Sequence, residues 1–104
     1  MALGTKHLQA QVGATATTLY TAPTVTLSKT QLVLSNIDTV QRTVDVTITD
    51  TSAATTRHVV KAAPIPVGGS LVIKGLLLNS TDVLKALCDS ANQVEATLSI
   101  VELT

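Results

Sequence analysis

The segment Thr43–Thr49 limits the fold more than any other stretch of this chain. Val44, Val46 and Ile48 alternate with Thr43, Asp45, Thr47 and Thr49. A period of two puts the aliphatic side chains on one face of an extended strand and the polar ones on the other. The run from about Gln93 to Leu103 repeats the pattern: Val94, Ala96, Leu98 and Ile100 share a face, opposite Glu95, Thr97 and Ser99. There the phase then flips, with Val101 and Leu103 apolar and Glu102 polar. Such a flip predicts a bulge, or a strand end that meets a second surface.

Weaker strand signals fill the intervals. Leu8, Ala10 and Val12 alternate, and Thr17–Tyr20 is a short run closed by Ala22-Pro23. Val25 and Leu27 are out of phase with Leu32 and Leu34, which predicts a bulge or bend near Lys29. A polar loop opens at Asp50-Thr51-Ser52 and runs to about Thr56. A strand from Arg57 to Ala63 should end at Pro64-Ile65-Pro66, because proline lacks the ladder N–H and sits on an edge or outside a sheet. Gly68-Gly69 reads as a turn into a strand from Ser70 to Leu78. The segment Asp82–Ala91 fits either a strand or a helical stripe of Val83, Leu84, Leu87 and Cys88 with Ser80 or Thr81 as N-cap; the strand is the preferred reading. About eight short antiparallel strands result. They predict an all-β, two-sheet β-sandwich, with a jelly roll as one form of it and a closed barrel as the alternative.

The chain of 104 residues fits one domain, 1–104, with residues 1–11 as an N-terminal arm or contact strand. Its core must be aliphatic, since there is no Phe, no Trp and a single tyrosine, Tyr20. Charged residues make up 13%, against roughly 25% in an ordinary soluble domain, and mean hydropathy is +0.41. A neutral, charge-poor surface protects weakly against association, so much of it is expected to be covered by neighbouring subunits. The single cysteine, Cys88, cannot form an intrachain disulfide and reads as a small core residue. The start MALGTKHLQA lacks the apolar stretch of a signal peptide, and no window approaches the ~18 apolar residues of a membrane helix. The expectation is neither a secreted precursor nor a membrane protein.

Catalytic chemistry finds no foothold. His7 and His58 lie in no recognisable motif, and Gly68-Gly69-Ser70 is a turn rather than a nucleophile elbow. Asp45 and Asp50 point to opposite faces of one strand, so they predict no metal site; with Arg57 and His58 they read as solvent-facing residues of one hairpin. Seven Lys plus Arg against seven Asp plus Glu give no basic stripe, and one tyrosine gives no stacking platform for bases or sugars. The expectation is no enzyme, no catalytic, metal or cofactor-binding residues, no cofactor, and no nucleic-acid or membrane partner. Pro64, Pro66, Gly68 and Gly69 read as an ordinary strand connection, with a contact loop as the alternative.

The order of segments carries a resemblance. Thr18-Leu19-Tyr20-Thr21-Ala22-Pro23 is followed by Leu32-Val33-Leu34-Ser35-Asn36 and by Thr43 to Asp50. Then come Ile65-Pro66-Val67-Gly68-Gly69-Ser70-Leu71, Asp82-Val83-Leu84-Lys85-Ala86 and the closing run Val94–Leu103. Beyond about Ala16 this resembles small β-sandwich virion proteins of tailed bacteriophages, which serve as capsid decoration (cement) proteins or as tail and fibre components. Leu87-Cys88 is more apolar than that pattern, and Thr24–Gln31 lacks its small turn residues. The resemblance implies a non-enzymatic virion protein, assembled in the host cytoplasm. It would bind the major capsid protein or another virion protein as a homo-oligomer, commonly a trimer. A tail, neck or fibre component and a small binding module are the alternatives. The arm Met1–Gln11 and the phase-flipped tail are the candidate contacts, through strand addition at sheet edges. Removing residues 1–10 or 101–104 is then expected to weaken assembly and spare the sandwich.

Overall fold

The computed structural model describes residues 3–24 and 27–103. It contains eight strands: β1 (Leu3–Val12), β2 (Thr17–Thr21), β3 (Leu27–Asn36), β4 (Arg42–Asp50), β5 (Thr55–Ile65), β6 (Ser70–Leu78), β7 (Val83–Cys88) and β8 (Val94–Leu103). They form two four-stranded antiparallel sheets, ordered β1-β8-β3-β6 and β2-β7-β4-β5. The result is a β-sandwich, as the alternation predicts.

The pairing is nested. β4 pairs with β5, β3 with β6, β2 with β7 and β1 with β8, as if one long hairpin had been folded over. Two further ladders, β3 with β8 and β4 with β7, join these pairs into sheets. Only the β4–β5 connection stays within a sheet; every other loop crosses from one sheet to the other. Loops therefore gather at the two ends of a body 45 Å long.

Branched and straight aliphatic side chains fill the interior: Val12, Leu32, Leu34, Val44, Val46, Ile65, Leu78, Leu84, Leu98 and Ile100 are all buried. Aligned sheets pack about 10 Å apart, a gap that Val, Leu and Ile can fill from both sides without large aromatics. In β7, Leu84, Ala86 and Cys88 are buried and alternate with half-buried Val83, Lys85 and Leu87. The period of two wins over the helical stripe, and Asp89–Ala91 falls outside the strand.

Four local expectations are corrected. First, β5 starts at Thr55 and runs through Pro64 to Ile65, rather than from Arg57 to Ala63. It can do so because β5 is an edge strand, so the missing N–H costs the sheet nothing if it faces outward. Second, the bulge expected near Lys29 lies on the partner strand. β3 alternates without a break against β8, while its register with β6 slips between Thr30 and Leu32, opposite Lys74 and Gly75. Gly75 takes up the slip with φ of +73°, a left-handed conformation open to glycine. Third, the polar loop expected to run to about Thr56 is narrowed to residues 51–54, with Thr55 already paired to Asp50. Fourth, the phase flip of β8 is not a bulge. Its register with β1 and β3 is continuous from Val94 to Leu103, so the pleat carries Glu102 to the inner face and Val101 outward. The contribution of Val25 to the phase argument lies outside the described residues.

Candidate interaction surface

The outer face of the first sheet follows from its register. Across β1, β8 and β3 the first row is Leu3, Leu103 and Leu27; the next is Thr5, Val101 and Lys29, extended by Leu77 of β6. Then come His7, Ser99 and Gln31 beside the Lys74–Gly75 bulge, and Gln9, Thr97, Val33 and Val72. Leu3 is 71% exposed and Leu77 61%, and Leu27, Val101 and Val72 also stand in solvent. A cluster of this kind on one sheet face marks a contact surface more than a scatter of single residues would.

A groove of about 830 Å³ crosses this face where β6 bulges, lined among others by Thr5, His7, Lys29, Gln31, Lys74 and Val101. Gly75 helps to keep it open: a Cβ there would meet nothing within 4 Å. No carboxylate lines the groove among the described residues. Lys6, at its margin, is paired with Glu102 at 3.3 Å, which leaves Lys29 and Lys74 as its uncompensated cations. The balanced charge total thus hides a local cationic spot, assembled by register from separate strands.

Glu102 also closes a network that ties the two sheets together. The Tyr20 hydroxyl, from β2, donates to Glu102 of β8 and lies 2.8 Å from the Ser28 hydroxyl of β3. Burial, followed by the hydrogen bond to Glu102, pushes the Tyr20 phenol up to about 12. This changes the reading of the tail. β8 is flanked by β1 and β3, so it has no free edge for strand addition, and removing 101–104 would delete the internal Glu102 carboxylate together with Val101 of the outer face. Residues 3–11 are part of a strand, as the contact-strand form of the expectation has it. They belong to β1, which pairs with β8 along its whole length and forms one edge of its sheet.

The opposite edge of the molecule is blunted. β5 carries Pro64 and two register slips, with Ala62 at φ of +49°. Asp45 holds this bulge by accepting from the Ala62 N–H at 2.7 Å, and its other oxygen lies 3.6 Å from His58. Bulges and proline discourage edge-to-edge pairing.

At the loop end beyond Val12 and Asn36, a third cluster forms. Buried Asn36 donates to the carbonyls of Val40 and Ile65, both at 2.9 Å, and accepts from the Asp38 N–H at 2.9 Å. It thereby fixes the β3–β4 loop beside the β5–β6 turn, where Gly69 N–H donates to Pro66 at 2.9 Å and Gly68 supplies φ of +71°. Ile37, Val40 and Val67 are exposed on this tip. Arg42 bonds Asp38 through Nε at 2.7 Å and lies 3.8 Å from Asp89. Hydrogen bonds from the Thr39 backbone and from Arg42 hold the Asp38 carboxyl below its ordinary range.

The residues weighed for chemistry lie apart. His7 is in β1 and His58 in β5, the far edge of the other sheet. Cys88 is buried, and burial pushes its thiol up, away from the reactive thiolate. Among the described residues, no group of three or more His, Cys, Asp or Glu is placed to hold a metal. The sequence reading missed Glu102, Asn36 and buried Asp82, whose carboxylate accepts from the Asn79 N–H at 3.0 Å. The one signal for Glu102 was its place between Val101 and Leu103.

No protein-family model matches this chain, and no curated protein sequence matches it. Solved structures do share its fold. A protein of Bacillus endospore appendages, described as disulfide-linked pili, superposes with a TM-score of 0.65 at 14% identity, over 99% of this chain and 87% of that one. A protein of the acid-stable capsid of Helicobacter pylori bacteriophage KHP30 gives 0.55 at 14% identity, over 96% and 87%. A chain of the infectious bursal disease virus particle gives 0.58 at 13% identity, over 96% of this chain but 30% of its own length. At these identities the likeness is one of fold.

Proposed function

We propose that this chain is a non-enzymatic structural subunit of a virus particle, and within that class a capsid decoration (cement) protein of a phage. It would bind the major capsid protein and reinforce the shell as a homo-oligomer, a trimer in the preferred form. The observation that carries the reading is the outer face of the first sheet. Leu3, Leu27, Leu77 and Val101 stand in solvent there around a groove, on a chain whose titratable groups are otherwise dispersed or paired. Such a face is a liability for a free monomer and an asset for a subunit.

The strand order supports the same reading. Orders β1-β8-β3-β6 and β2-β7-β4-β5 in a two-sheet sandwich support reading it as a jelly roll, an architecture used by capsid proteins. The fold shared with the phage KHP30 capsid protein is consistent with it. A second reading, a filament, tail or fibre component, draws on the pilus-like fold. Cross-linking by disulfides does not transfer, because Cys88 is the one cysteine and is buried.

The copy number per purified particle, relative to the major capsid protein, tests the proposal. A ratio near one, or a simple fraction of it, supports decoration. A handful of copies favours the tail or neck, and absence from particles removes the virion reading.

A further inference from the structure

We infer that copies of this chain join head to tail, with the Ile37–Val40–Val67 tip of one copy seated in the outer groove of the next. The inference rests on the reading of the chain as an assembly subunit, and it specifies which surfaces meet. Its starting point is that the exposed apolar side chains are divided. Ile37, Val40 and Val67 stand at one loop end, whereas Leu3, Leu27, Leu77 and Val101 stand on the flank toward the other. The tip is held firm by Asn36, which bonds both of its loops. The groove beside the flank patch is concave and about 830 Å³ in volume.

Charge matches shape. The loops at the tip end, residues 13–16, 37–41, 66–69 and 89–93, contain two carboxylates, Asp38 and Asp89, and no Lys, Arg or His. Arg42 at the start of β4 is the one guanidinium between them, so the tip is net negative. The groove presents Lys29 and Lys74 without a carboxylate of its own. Opposite potentials of this kind favour the pairing and fix its orientation.

A chain cannot satisfy itself in this way. His7 in the groove lies five residues from the tip end of β1, roughly 17 Å along the strand, and both belong to one rigid sandwich. The partner must be a second copy. Because tip and groove are different surfaces, the contact is heterologous: it closes into a ring, such as a trimer, if the rotation per copy allows, and otherwise runs on as a filament. Either form of the proposed assembly would use this contact.

Two variants with surface changes test it. Val40→Lys disables the tip, and Leu77→Asp, at an exposed edge-strand position opposite Lys29, disables the apolar flank that borders the groove. Circular dichroism and the thermal midpoint verify that each remains folded. Sedimentation of the full chain over a concentration series is expected to show oligomers for the wild type. For each variant alone, the concentration of half-association should rise at least about tenfold, because each change puts a charge into an apolar contact and weakens the charge complementarity of tip and groove. Mixing the two variants is the decisive arm. Each retains one good surface, so the mixture should form one-to-one dimers and stop there. The inference is overturned if the mixture stays monomeric, if it regains wild-type oligomers, or if either variant alone assembles like the wild type. Oligomers indifferent to both changes would remove the tip–groove contact and leave the assembly-subunit reading standing. A wild type that is monomeric up to millimolar concentration would overturn the contact, with the particle copy number still deciding the broader reading.

Discussion

Tyr20→Phe should destabilise the sandwich without moving its core. The ring stays, and the hydroxyl that joins Glu102 to Ser28 is lost. Glu102 has a side chain only 13% exposed and would keep Lys6, at 3.3 Å, as its remaining partner among these groups. Losing one hydrogen bond to a charged acceptor costs about 1.5–3 kcal/mol. In a domain of this size that lowers Tm by roughly 10 °C. The phenol's titration tests the same site separately, since burial, ahead of the bond to Glu102, raises it. The phenol is raised from its ordinary 10 to about 12 in the fold. Two units correspond to roughly 2.7 kcal/mol of preference for the protonated form. The sign follows from linkage: the unfolded chain releases this proton first, so the stabilisation is full below pH 10 and drains away between about 10 and 12. The assay is direct, because Tyr20 is the one tyrosine and there is no tryptophan. Phenolate absorbance should rise with a midpoint near 12 in the native protein and near 10 in denaturant. A native midpoint near 10, or a Tyr20→Phe protein whose Tm matches the wild type, would refute the reasoning.

Other outcomes follow from single contacts. Asn36→Ala strands the carbonyls of Val40 and Ile65 and should cost about 1–3 kcal/mol in chemical denaturation, with proteolysis concentrated in residues 37–41. Gly68→Ala forces a side chain to φ of +71° and should lose about 1–2 kcal/mol, although nothing within 4 Å obstructs the new methyl. Cys88 should resist a thiol reagent in native buffer and react fully in denaturant, as followed by mass spectrometry.

Much of this architecture is legible because a pleat imposes a period of two and the core obeys it. Val44, Val46 and Ile48 give β4, and Leu84, Ala86 and Cys88 give β7 once the alternation is set against the helical stripe. The Pro64-Ile65-Pro66 segment marks an edge and a strand end, but the strand passes through Pro64 to Ile65, since proline forbids one hydrogen bond rather than a strand. Polarity fails as a guide where tertiary partners compensate. Glu102 lies inward because Tyr20, 82 positions away, satisfies it. Leu27 and Leu77 lie outward, although an apolar residue in a strand reads as core. The groove is invisible in the sequence, since it depends on which strands are neighbours and on a bulge opposite the position where one was expected.

The nested pairing also sets an order of events at the ribosome. Apart from the β4–β5 hairpin, every ladder joins segments far apart in the chain, a topology that folds slowly because loop closure precedes the reward. β8 is made after the other seven strands described, and it lies between β1 and β3 in the sheet that carries the outer face. Until Val94–Leu103 has emerged, β1 and β3 have no common partner, and a chain cut after Cys88 should remain protease-sensitive. The outer face of the first sheet is therefore incomplete until β8 has been made. For the assembly proposed above, polysomes would hold many growing copies side by side without seeding it, and association would wait until synthesis has passed β8.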